Sequence, residues 1–169
     1  MKTVFYAWQS DLPNRTNRTF IANCLGAAIE NVNANRSPGE QLVLDKDTQD
    51  VSGMPVVSEV IFSKIANCAV FVGDTSFITT PQFARQSPNP NVLIELGFAL
   101  ASIGDRRIIG LFNDASGDAH DLPFDLRNRR FPLACHVAEN DDVQALARER
   151  DKLVRRLVEA PAATAKHAP

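Results

Sequence analysis

The chain has 169 residues, 44% hydrophobic and 22% charged, with a formal net charge of −2. That is the size and balance of one globular domain able to bury a proper core, and so small a charge gives no overall pull toward nucleic acid or an anionic membrane. Cys24, Cys68 and Cys135 are odd in number and form no C-x-x-C pair, which fits reduced core thiols in a cytoplasmic protein; neither they nor His120, His136 and His167 show metal-ligand spacing.

In chain order, Val4 to Trp8 reads as a compact β run, too short for a signal sequence, and nothing later approaches the roughly 20 apolar residues of a bilayer span. Arg15 to Asn33 has helical spacing through Phe20, Ile21, Cys24, Leu25, Ala28 and Ile29. A turn cluster at 35–39 leads to a short strand from Gln41 to Leu44 and a polar loop from Asp45 to Gly53. Pro55 to Asn67 is a second helix, and Ala69 to Gly73 a buried strand. The segment from Ser76 to Pro88 lacks apolar periodicity and exceeds the usual strand-to-helix loop, which suggests a lid or binding loop.

The next helix, Pro90 to Ser102, has Asn89 as its N-cap and Pro90 at its first position, where a missing N–H costs nothing. Its apolar residues cover most directions, so it is expected to be largely buried, yet it carries Glu95, one turn beyond Asn91 on the same stripe. A carboxylate there must be paired, hydrogen-bonded or set at the rim of a cavity, and perturbed acids gather at functional sites. Arg107 to Phe112 makes a fourth strand, Phe131 to Cys135 a fifth, and Asp141 to Glu159 a closing helix. The whole is expected to be a single domain over residues 1–159, with 160–169 as a disordered tail.

Strands alternating with helices point to an α/β, doubly wound, five-stranded parallel sheet in the flavodoxin-like order 2-1-3-4-5. In that arrangement the ligand crevice opens at the carboxyl ends of strands one and three. Trp8, Gln9, Ser10 and Asp11, then Asp74, Thr75 and Ser76, then the start of the Glu95 helix are brought toward one place. Other chemistries lack their residues: there is no G-x-G-x-x-G, no G-x-x-x-x-G-K-[ST] and no G-x-S-x-G. Asp45-Lys-Asp47-Thr48 matches the opening of a haloacid-dehalogenase-type phosphatase but has no downstream Lys and acidic pair in suitable contexts.

Val-Phe-Tyr-Ala-Trp-Gln-Ser-Asp11, Asn67-Cys-Ala-Val-Phe-Val-Gly-Asp74, Asn-Pro-Asn-Val-Leu-Ile-Glu95-Leu-Gly-Phe-Ala and Leu122-Pro-Phe-Asp-Leu-Arg127 resemble the bacterial TIR-like family of nucleotide-binding and NAD-cleaving proteins. The segment around Glu95 is also similar to that of the nucleophilic Glu in nucleoside 2-deoxyribosyltransferases. Asn91 and Val92 stand where many NAD-cleaving TIR domains carry Trp and Cys. The resemblance implies an NAD glycohydrolase, that is an NAD nucleosidase, with NAD as substrate rather than cofactor and Glu95 as catalytic carboxylate. It implies a bacterial antiphage or cell-suicide effector that self-associates or answers to a sensing partner, without direct nucleic-acid or membrane binding. Two alternatives stand beside it: a non-catalytic module for a nucleotide signal or TIR–TIR contact, and a nucleoside deoxyribosyltransferase-like enzyme.

Trp8 would then stack on a base or the nicotinamide ring, with Gln9, Ser10 and Asn91 bonding ribose or phosphate. Asp11 fits either a hydroxyl ligand or capping of the first helix. Asp74 and Ser76 fit either sugar recognition or an Asx-type turn, with Asp74 the candidate second acid if the leaving base needs a proton. Arg127 and Arg129 fit pyrophosphate contacts or a structural fastening of their segment.

Overall fold

The computed structural model describes residues 1–46, 56–78, 86–129 and 132–160. Five parallel strands, β1 (Lys2–Ala7), β2 (Leu42–Asp45), β3 (Val70–Asp74), β4 (Ile108–Asn113) and β5 (Leu133–Cys135), form one sheet in the order 2-1-3-4-5. The helices are α1 (Arg18–Asn33), α2 (Val57–Asn67), α3 (Pro90–Ser102), a single turn α4 (Phe124–Arg127) and α5 (Val143–Glu159). The expected α/β flavodoxin-like arrangement is therefore present. Among the described residues no helix is long and apolar enough to cross a membrane.

Strand alternation divides the core. Val4 and Tyr6 of β1, Val70 and Val72 of β3 and Ile109 and Leu111 of β4 face one side, where α1 and α5 cover them. Phe5, Ala7 and Phe71 face the other, against Ile65 of α2 and Val92, Leu96 and Ala99 of α3. Both faces of the central strands are buried, which is why their sequences read as continuous apolar runs.

The helix carrying Glu95 starts where expected. Asn89 Oδ1 accepts from Asn91 N at 2.8 Å and Val92 N at 3.4 Å, with Pro90 as the first helical residue. It is not, however, buried all round. Val92, Leu96, Ala99 and Ile103 recur on the sheet side and are buried, whereas Ile94 is 58% exposed, because among the described residues no further layer covers the outer face. Val92, Leu96 and Ile103 of this stripe each contribute about 1.5–3 kcal/mol. Close docking is helped by Gly73, where an added Cβ would come within 3.0 Å of the Phe71 ring and 3.7 Å of Val92.

Several boundaries move. β1 ends at Ala7, so Trp8 opens the loop. α1 begins at Arg18 rather than Arg15, since a turn precedes it in which Thr16 and Asn17 donate to the Pro13 carbonyl at 3.0 and 3.1 Å. The segment after Leu122 contains the unanticipated α4. Pro55, Asp47, Thr48, residues 79–85, Arg130, Phe131 and the tail 161–169 lie outside the described residues.

Candidate active site

The loop after β1 is organised by Gln9. Only 3% exposed, it accepts at Oε1 from Asp11 N at 2.9 Å and Leu12 N at 3.1 Å. Its Nε2 is buried without a hydrogen-bond partner among the described residues, and the amide helps to stabilise the ionised Asp74 carboxylate. Ser10 and Asp11 are exposed. Asp11 caps neither α1 nor its own loop; its Oδ2 accepts from Asn89 Nδ2 at 2.6 Å and so ties the loop to the start of α3. Trp8 is half-buried against the α1-side core, and one ring face is taken, with the Arg18 guanidinium carbon 3.4 Å from the ring centroid.

Asp74 and Ser76 show no surface. Asp74 Oδ1 accepts from Ser76 Oγ at 2.6 Å and Ser76 N at 3.1 Å, and Oδ2 accepts from Asn17 Nδ2 at 3.0 Å. Burial pushes its pKa up, while the Ser76 and Asn17 bonds and the nearby Gln9 amide pull the other way. This is the Asx-turn alternative, and in this arrangement neither side chain presents an atom to a ligand. Alternation along β3 places Val70, Val72 and Asp74 toward α1, whereas Glu95 rises from α3 on the opposite face. The Asp74 side chain leaves the sheet away from α3 and is engaged by Ser76 and Asn17, which disfavours it as the second acid.

Two residues that the sequence pattern does not single out complete that buried network. Asn17 donates to both Asp74 and Ser76. Asn113, at the carboxyl end of β4, donates to the Val137 carbonyl at 2.8 Å and the Asn17 Oδ1 at 3.2 Å, and accepts from Val137 N at 3.0 Å. Its backbone N donates to Ser76 Oγ at 2.8 Å. The available signal was a polar residue ending an otherwise apolar strand, Ile-Ile-Gly-Leu-Phe-Asn113, at the edge where such folds bind.

Glu95 differs from every other acid in this region. It is half-buried and makes no hydrogen bond or ion pair among the described residues, and burial alone pushes its pKa up to about 7. A carboxylate so placed is partly ionised at neutral pH and, among the described residues, uncompensated by a cation. It can offset positive charge developing on a neighbouring group, or take up a proton. Asn91, one turn earlier, is exposed. Arg127 sits over the Phe124 ring at 6.0 Å. Arg129 lies instead on a groove of about 950 Å³ beside β4, whose walls include Thr75, Leu96, Leu100, Arg106 and Arg156 but not Glu95. Among the described residues no group of three or more His, Cys, Asp or Glu could hold a metal ion.

No protein-family model and no curated protein matches the chain. Among solved structures it is similar to a 2-desoxiribosyltransferase from Leishmania mexicana, at 19% identity and a TM-score of 0.45, over 92% of this chain and 98% of that one. It is also similar to a flavodoxin-like domain from Synechococcus sp., at 13% identity and a TM-score of 0.45, over 94% and 96%.

Proposed function

We propose that the chain is an N-glycoside-cleaving enzyme of TIR-like type, acting on NAD with Glu95 as the reacting-site carboxylate. The observation that carries this reading is the setting of Glu95: an acid on the helix after β3, desolvated and, among the described residues, without a cationic partner. The resemblance of the Asn-Pro-Asn-Val-Leu-Ile-Glu95 segment to NAD-cleaving TIR-like proteins supplies the substrate.

Cleavage of the nicotinamide N-glycosidic bond sends its electron pair onto the pyridinium nitrogen, so nicotinamide leaves neutral and needs no proton. The ribose carbon becomes oxocarbenium-like, and ionised Glu95 offsets that charge, as carboxylates do in glycoside hydrolysis. Water then adds to the carbon and releases a proton, giving ADP-ribose. A neutral nucleoside would require an acid to protonate the departing base; Asp74, buried and bonded to Ser76 and Asn17, is poorly placed to supply one. In the cell this reading makes the chain a defence or self-killing effector that assembles with itself or with a sensor.

The test is to incubate the purified chain with NAD, alone and under crowding that promotes assembly, and to separate products by chromatography. Nicotinamide release that disappears in Glu95→Gln is the expected result. NAD left intact throughout, with a nucleotide bound at micromolar affinity, would replace this reading with a binding module. Base exchange on deoxynucleosides would replace it with deoxyribosyl transfer.

A further inference from the structure

The first turn of α3 satisfies itself. Pro90 has no N–H, the Asn91 and Val92 N–H groups go to Asn89 Oδ1, and the Leu93 N–H goes to the Asn89 carbonyl at 3.1 Å. The oxygen end of the Asn89 side chain is therefore consumed by its own helix, and its amide nitrogen is the part left to reach outward. It donates to Asp11 Oδ2 at 2.6 Å. Asp11 is in turn held through its backbone N by Gln9 Oε1, and Gln9 is buried in the loop that follows β1. A line of hydrogen bonds thus runs from the buried Gln9, just beyond β1, to the start of the helix that carries Glu95.

Glu95 has no hydrogen bond of its own among the described residues, so its carboxylate takes its place from where α3 lies. The sheet-side stripe of Val92, Leu96, Ala99 and Ile103 fixes the helix against the core. At its exposed start the Asn89–Asp11 bond joins it to the neighbouring loop, and the Asp11 charge also suits the positive end of the helix dipole. We infer that Asn89, through Asp11, is a positioning residue for Glu95, a latch that holds the first turn of α3 and thereby the seating of that carboxylate. The inference rests on the reading of Glu95 as the reacting group, and it extends that reading to a residue pair that touches no substrate.

The variants separate latch from cap. Asn89→Ser retains a good N-cap but loses the amide donor; Asp11→Ala loses the acceptor; Asp11→Asn keeps an oxygen that can accept the bond. Asp11 is exposed, so these proteins should fold. The readout is the titration of the Glu95 carboxyl carbon by NMR without NAD, assigned with Glu95→Gln. Among the described residues no charged group, including Asp11, Asp74, Glu59 and Lys64, contributes to the raised Glu95 pKa, so the titration reports access of water to the carboxylate.

In Asn89→Ser and in Asp11→Ala the midpoint should fall by about one pH unit from its wild-type value, with the double variant no lower than either and Asp11→Asn at the wild-type value. Wild-type titration in both Asn89→Ser and Asp11→Ala would overturn the latch, as would additive shifts or an Asp11→Asn result equal to Asp11→Ala. These outcomes do not require turnover. A wild-type protein inert toward NAD removes the proposed reaction and leaves the titration to decide the latch.

Discussion

Glu95→Gln keeps the shape of the side chain and removes its charge, and the buried setting determines how stability responds. In the folded chain the Glu95 pKa stands at about 7 against an ordinary value of 4.5. That gap corresponds to about 3 kcal/mol at roughly 1.4 kcal/mol per unit. Solvent reaches part of the side chain, so about 1–2 kcal/mol is the realistic share. The sign runs against the usual carboxylate. Because the folded-state pKa is raised, the contribution to stability is full below pH 4.5 and is lost as pH rises through about 7. The neutral amide of the variant suffers no such loss. Glu95→Gln should therefore match wild type near pH 4 and exceed it by about 1–2 kcal/mol near pH 8, a Tm difference of about 3–6 °C for a chain of this length. Urea denaturation at a series of pH values measures it, with nicotinamide release measured on the same samples. Equal stability at pH 8 would show that the carboxylate ionises without cost, and the desolvation argument for Glu95 would fail. A variant that gains stability while losing turnover is the pattern expected where an active site holds a group against its solvation preference.

Other outcomes concern neighbouring features. Asn113→Ala abandons the Val137 and Asn17 partners in a buried site and should cost about 2–4 kcal/mol in urea denaturation; a loss below about 0.5 kcal/mol would mean that the carboxyl-edge network does not hold β4 to the chain after β5. Arg18→Ala uncovers one face of Trp8, the single tryptophan of the chain, so its emission should shift to the red with a stability loss of about 0.5–1 kcal/mol. Unchanged emission would refute the stacked arrangement. Burial pushes the thiols of Cys24 and Cys68 up to about 12 and about 11, and that of Cys135 higher still. All three should resist a thiol reagent at pH 8 in the native protein and react on denaturation; rapid labelling of the native chain would contradict their burial.

The strand order and the start of α3 are legible in the sequence because both rest on local chemistry: continuous apolar runs for strands buried on two faces, and an Asn-Pro pair for a helix start. Glu95 stands out because one acid interrupts an apolar helix. The burial of Asp74 is not legible, since Asp-x-Ser at the end of a strand serves a ligand or a turn equally well until strand parity is assigned. Asp11 illustrates the same limit, its partner Asn89 being distant in sequence and adjacent only once β1 and β3 are neighbours. Asn17 and Asn113 leave little trace in the sequence because a buried amide announces itself through its partners, and those are contributed by four separate segments. The outer face of α3 is more exposed than its residues suggest because hydrophobicity all round a helix does not say how many layers cover it.

Among the described residues β5 pairs only with Leu111, Phe112 and Asn113, and leaves the first half of β4 without a strand on the side away from β3. Bare strand margins invite other chains to add themselves, the route by which sheets grow into fibrous aggregates. Around this one stand Arg106, Arg129 and Arg156 with Asp105 and Glu159 among them, charges of both signs that hold water at the margin, and Pro132, an imino acid that offers an approaching copy no N–H. A short terminal strand is tolerable beside such surroundings, which discourage strand addition along that side.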